Sequence, residues 1–91
     1  MLLYLVTYDI VCNKRRQKVS HLLEGYGRRV QYSVFECRLP PMKYRELRDR
    51  LRPYIKPEDS MRFYPLSGHT LAQVEVWGGP PVLAPPSSVI I

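Results

Sequence analysis

Arg29-Val-Gln-Tyr-Ser-Val-Phe-Glu-Cys-Arg-Leu39 is the stretch on which the fold turns. It is dense in β-branched and aromatic residues, is closed by Pro40-Pro41, and reads as strand. Val30, Tyr32 and Val34 alternate to one side, and Gln31, Ser33, Phe35 and Cys37 to the other. It is long enough for one long strand or for two short ones joined by a sharp bend near Gln31–Ser33. No Gly, Pro or Asn lies inside it to make a turn, so both readings stand. The choice matters because a split β-α-β domain needs a hairpin between its two helices.

Working outward, Leu2–Tyr8 is apolar on both faces and ends at Asp9, as a central strand does. Asn13 is a good N-cap, and Val19, Leu22, Leu23 and Tyr26 recur at helical spacing. The first helix is therefore expected over about 14–26, stopped by Gly25 and Gly27. Past Pro40-Pro41, Tyr44, Leu47 and Leu51 make the apolar stripe of a second helix, over about 42–52, that Pro53 and Pro57 end. Ser60–Leu66 reads as strand, Ser67-Gly68-His69 as loop, and Leu71–Trp77 as a last short strand. The order β-α-β(β)-α-β-β predicts an α+β, ferredoxin-like (split βαβ) single domain over residues 1–77. A Pro-rich C-terminal tail over 78–91 has no core of its own.

Composition bounds the function. In 91 residues there is room for one small core, and 45% hydrophobic with 24% charged residues is ordinary for a folded chain. Fourteen Lys+Arg against eight Asp+Glu leave a net charge of +6, an excess that favours an anionic partner such as nucleic acid. No apolar run is long enough to span a membrane and no secretory signal is visible, so no membrane partner and a cytoplasmic location are expected. Two cysteines, Cys12 and Cys37, make neither a disulfide framework nor a CxxC metal pair.

Asp9 is the most informative polar position, a carboxylate where an apolar strand meets a polar loop. Such a residue forms a turn or holds a metal. It stands alone, for Val11, Cys12 and Asn13 fill the loop where a second acid would help. Magnesium keeps several waters, so one carboxylate from each of two chains would suffice, and a metal site here implies a symmetric dimer. Lys14, Arg15, Arg16 and Lys18 open the first helix at its positive dipole end, where cations are locally unfavourable. That placement points either to a solvated face or to phosphate binding, and Arg28 and Arg29 would extend the basic surface. Phe35 and Tyr8 are candidates for stacking on bases or for the core. Ser33 has no His or Asp at triad spacing.

Tyr8-Asp9-Ile10, the basic helix start, Arg29–Glu36 and Tyr64-Pro65-Leu66, taken in order, resemble the CRISPR-associated protein 2 family, the small partner of the CRISPR integrase in spacer acquisition. The resemblance covers roughly residues 2–77. It implies a ferredoxin-like homodimer with facing sheets, the last strand crossing to the partner. It also implies Mg²⁺-dependent endonuclease activity on RNA or DNA, with Asp9 as metal ligand and Tyr8 beside it. Arg16, Lys18, Arg29, Ser33 and Phe35 fall on positions associated with activity. Val11-Cys12-Asn13 departs from a loop that is often acidic in the family.

Two functions follow. As an enzyme, the dimer would hydrolyse phosphodiester bonds at its axis with Mg²⁺ on paired Asp9 carboxylates, while Arg16, Lys18 and Arg29 position the backbone. As a non-catalytic adaptor, it would bridge the CRISPR integrase and grip duplex DNA through Lys14, Arg15 and Arg16. A generic RNA binder with exposed aromatics on an open sheet is a third reading.

Overall fold

The computed structural model describes residues 1–84, and its strands form one four-stranded antiparallel sheet. The elements run β1 (Leu2–Asp9), α1 (Asn13–Glu24), β2 (Arg28–Gln31), β3 (Val34–Leu39), α2 (Pro41–Leu51) with a 3₁₀ turn Arg52–Tyr54, β4 (Ser60–Leu66) and a short α3 (Gly68–Leu71). The sheet order is β2-β3-β1-β4. β1 is a central strand, paired with β3 from Leu2↔Leu39 to Thr7↔Val34 and with β4 from Leu3↔Leu66 to Asp9↔Ser60.

The stretch 29–39 is two strands, not one. Gln31 pairs with Val34 across a two-residue turn, Tyr32-Ser33. Two-residue hairpins usually need left-handed backbone, which Gly or Asn supplies to match strand twist. Among the described residues no non-glycine residue has positive φ. The mismatch is taken up instead by a register irregularity between Arg29 and Gln31.

Both long helices lie on one face of the sheet. Tyr4, Val6 and Tyr8 of β1 and Phe35, Cys37 and Leu39 of β3 meet Val19 and Leu23 of α1 and Leu47 and Leu51 of α2 in a single core. Tyr4 stacks on Tyr44 at 3.7 Å, and Phe63 meets Tyr44 edge-on. Gly27 makes a closer approach than any side chain permits. A Cβ there would lie 2.2 Å from the Glu36 carbonyl oxygen and 2.5 Å from Cys37 Sγ.

Three expectations change. The N-cap of α1 is Cys12, with Asn13 already inside the helix, because Arg16 engages the Asn13 side chain. The stop by Gly25 and Gly27 holds: Gly25 ends the helix in ordinary right-handed backbone, and Gly27, whose N–H donates to the Leu23 carbonyl at 3.0 Å, also makes the close strand contact. Ser67-Gly68-His69 is no loop, since Ser67 Oγ accepts from the Thr70 N–H and caps α3. Leu71–Trp77 forms no strand among the described residues. Leu71 ends α3, and 72–84 run back across the sheet face opposite the helices. Residues 85–91 of the expected tail lie outside the described residues.

Candidate nucleic-acid interface

Strand alternation separates residues that are neighbours in sequence. Tyr8 points with Tyr4 and Val6 into the helix side and is buried, stacked 6.4 Å from Phe35. Asp9 is exposed, and alternation places it with Leu5 and Thr7 on the open face. Arg28 and Arg29 diverge in the same way. Arg28 shares the open face with its cross-strand partner Glu36, at 3.4 Å. Arg29 lies on the helix side, its guanidinium 5.3 Å from the Phe35 ring centre and hydrogen-bonded to Ser20. The two therefore do not extend one basic surface. Phe35 is fully buried and out of reach of any base; it forms the floor that Tyr8 and Arg29 rest on.

A cleft of about 320 Å³ opens between α1 and the β2–β3 hairpin, lined by Tyr8, Arg16, Arg29 and Tyr32 together with Ser20 and His21. Ser33 is tied in through its backbone, its carbonyl accepting from the Tyr8 N–H at 3.1 Å. Tyr32 was not singled out for function by its sequence, yet at the hairpin tip it is 73% exposed. The signal for it was there, an aromatic residue at the one bend available in the stretch.

The four cations of α1 fall into two pairs. Arg16 clasps the loop after Asp9: Nε donates to the Ile10 carbonyl at 3.1 Å, Nη2 to Val11 at 3.3 Å and Nη1 to Asn13 Oδ1. Those contacts hold the chain directly behind Asp9 and leave part of the five-donor fork free. Arg15 is spent on the fold, with its guanidinium on the Asp59 carboxylate and the Tyr54 carbonyl. The Asp59 side chain has no solvent exposure. Arg15 first, then the N–H groups of Val11 and Lys56, hold its pKa down to about 2. This anchor between α1 and the turn before β4 lies 44 residues apart in sequence. Lys14 and Lys18, by contrast, make no ion pair or hydrogen bond among the described residues and line a broad trough with Gln17, Arg50 and Tyr54. α1 has no acidic residue in its first turn, so nothing there offsets them.

For a divalent cation a single chain offers little. Among the described residues no group of three His, Cys, Asp or Glu side chains gathers into a metal site. Cys12 is exposed, and the amide groups of Arg15 and Lys14 at the helix start lower its thiol pKa. Cys37 is buried, which pushes its thiol up to about 12. Among the described residues no helix is long and apolar enough to cross a membrane.

Residues 1–74 match the family model described as CRISPR associated protein Cas2. The CRISPR-associated endoribonuclease Cas2 3 of Synechocystis is 61% identical, with all of both chains covered. A CRISPR-associated endonuclease Cas2 2 of Thermus thermophilus is 46% identical over 88% of this chain and 86% of its own. Among solved structures, Streptococcus pyogenes Cas2 superposes with a TM-score of 0.72 at 39% identity, covering 84% of this chain and 99% of that one. A chain of a partial Cas6-RT-Cas1–Cas2 complex superposes over the full length of both with a TM-score of 0.81 at 34% identity. With its family model matched over most of its length and a relative this similar end to end, the chain belongs to the CRISPR-associated Cas2 family.

Proposed function

We propose that the protein works as a dimer in CRISPR spacer acquisition, alongside a Cas1-type integrase, and that the dimer is a magnesium-dependent endonuclease, with RNA as the first substrate to try. The observation that carries the reading is the position of Asp9. It is an exposed carboxylate at the end of a central strand, on the sheet face that carries no helix, behind which Arg16 fixes the loop. A second copy stacked on that open face in a ferredoxin-like dimer would bring two Asp9 carboxylates towards one axis. One carboxylate per chain suits magnesium, which fills its other positions with water and phosphate oxygens. When bound there, the ion would supply a low-pKa water and charge stabilisation on the phosphoryl group.

The chain's own residues do the positioning. Lys14 and Lys18 attract the phosphate backbone at the start of α1, helped by the helix N-terminus. Arg29, held over Phe35, and the free donors of Arg16 face the cleft, where Tyr32 offers a face for an unpaired base. Arg15, engaged with Asp59, serves the fold first.

The relatives' names and the complex with Cas1 support this reading, and the same geometry serves the adaptor role with duplex DNA in the Lys14–Lys18 trough. The test is cleavage of labelled RNA and of duplex DNA by the purified protein with Mg²⁺, beside an EDTA control and Asp9→Asn. Cleavage lost in both controls, with the dimer and fold intact, is the expected result. Cleavage that survives Asp9→Asn removes Asp9 from the chemistry. A folded dimer that cleaves nothing but binds duplex DNA leaves the adaptor as the function.

A further inference from the structure

Asp9 ends β1, and the next three residues leave the sheet to enter α1. A connection of this kind moves unless its peptide groups are tied down. Here those on both sides of Val11 are tied. The Arg16 guanidinium donates to the Ile10 and Val11 carbonyls. From the turn before β4, Asp59 Oδ1 accepts from the Val11 N–H at 3.0 Å, across 48 residues of sequence.

Asp59 meets the Asp9 segment at two levels. Its neighbour Ser60 pairs with Asp9 at the end of the β1–β4 ladder. Its side chain reaches past that pair to Val11, two residues beyond Asp9. The carboxylate is itself fixed. Oδ2 accepts from the Lys56 N–H at 2.8 Å, the Arg15 guanidinium lies against it, and the side chain has no solvent exposure. These partners keep Asp59 ionised, an acceptor at both oxygens, as the Val11 and Lys56 N–H groups require. The ion pair with Arg15 suffices to anchor α1 to this turn. The bond to Val11 ties in the loop behind Asp9 besides.

We infer that Asp59 is a positioning residue for Asp9, its carboxylate fixing the loop that aims Asp9 at a divalent cation. The inference rests on the metal-dependent reading proposed above, and it separates two duties: Arg15 anchors the fold and Asp59 sets the geometry of the ligand. With one protein carboxylate per chain for the ion, no second ligand in the chain corrects a misplaced Asp9. The group that holds its loop therefore acts as an outer-shell partner does at a metal centre.

The test compares two full-length variants, Asp59→Ala and Arg15→Gln. Both break the ion pair, but Arg15→Gln leaves the carboxylate on Val11 and offers it an amide donor. Amide exchange at Val11, followed by NMR, reads the loop. Electron paramagnetic resonance of free Mn²⁺ reads metal affinity without RNA, and the Mg²⁺ midpoint of RNA cleavage reads the loaded enzyme. In Asp59→Ala, Val11 should exchange at least about tenfold faster, and both metal midpoints should rise about tenfold. Arg15→Gln should stay within about twofold of wild type in all three, although its urea midpoint falls too. A loss of stability alone lowers the folded fraction and the signal amplitude, and leaves the midpoints in place. Should Asp59→Ala not fold, Val11→Pro removes the donor, spares the ion pair and carries the same expectation; Arg15→Lys replaces an unfolded Arg15→Gln. An unprotected Val11 N–H in the wild type overturns the inference. So does a shift shared equally by both variants, which hands the role to the ion pair. A wild type that binds Mn²⁺ and cleaves, with unchanged midpoints in Asp59→Ala, strikes the positioning role alone. A wild type that does neither strikes the metal-dependent reading, and the positioning role with it.

Discussion

Replacing Gly27 by alanine tests how the β2–β3 hairpin is seated, and Gly25→Ala supplies an internal control two residues away. At Gly27 the added Cβ would lie 2.2 Å from the Glu36 carbonyl oxygen, 2.5 Å from Cys37 Sγ and 2.9 Å from Cys37 Cα. Two of these three atoms are backbone, so no side-chain rotation relieves the clash. To restore an ordinary contact of 3.4 Å the chain must retreat from β3 by roughly 1.2 Å. Overpacking of this kind costs about 1–3 kcal/mol, and a weakened ladder hydrogen bond adds about 1 kcal/mol, for a total near 3 kcal/mol. At Gly25 the nearest atom is the Leu22 carbonyl oxygen at 3.4 Å and φ is −78°, a conformation alanine adopts freely. That change should be neutral or stabilising by about 0.4–1 kcal/mol through the unfolded chain. Urea unfolding followed by circular dichroism, at one fixed protein concentration because dimerisation would shift apparent stability, measures both. A thermal midpoint lower by roughly 10–20 °C for Gly27→Ala alone is the equivalent signature. Less than about 1 kcal/mol lost at Gly27, or an equal loss at Gly25, would refute the argument from close approach.

The Asp59 carboxyl titrates at about 2 in the folded protein against an ordinary 3.8, so its contribution is present above pH 3.8 and lost as pH falls through 2. Wild type should therefore exceed Asp59→Asn in urea midpoint at pH 7, with the gap narrowing between pH 4 and 2.5; a gap independent of pH would contradict the assignment. Cys12, exposed and with a lowered thiol pKa, should react with a disulfide reagent at pH 8 in the folded protein, while Cys37, buried and pushed up to about 12, should react only on unfolding. Mass spectrometry of the labelled peptides checks the order. Replacing Lys14 and Lys18 together by glutamine should weaken binding to all sequences and reduce the salt slope on duplex DNA by about 2. Tyr32→Ala should weaken single-stranded RNA by about 1–3 kcal/mol and spare duplex DNA. Binding that ignores these changes removes the α1 start or the cleft from the interface.

Much of the fold was legible because periodicity reports what an element buries. β1, β4 and both helices fall within two or three residues of their expected bounds, for Val19, Leu23, Leu47 and Leu51 are buried at helical spacing. The hairpin was half legible. Tyr32-Ser33 carries no turn residue, and the register irregularity that makes the turn workable depends on where β3 sits against β1. Arg15 read as one of four equivalent cations, since its partner Asp59 lies 44 residues away and only the folded chain joins them. Leu71–Trp77 has strand-forming residues but pairs with no strand among the described residues, and propensity without a partner strand gives no ladder.

The start of α1 carries a further consequence. Lys14 and Lys18 sit near the positive end of a helix whose first turn carries no acid, so the free protein bears a local electrostatic frustration that no pairing among the described residues relieves. A polyanion laid along that turn would discharge it. Nucleic acid would then act as part of the folding energy of this domain, raising its melting temperature in low salt and losing that effect as salt is added. The helix start would be softest in the empty protein and firmest in the loaded one.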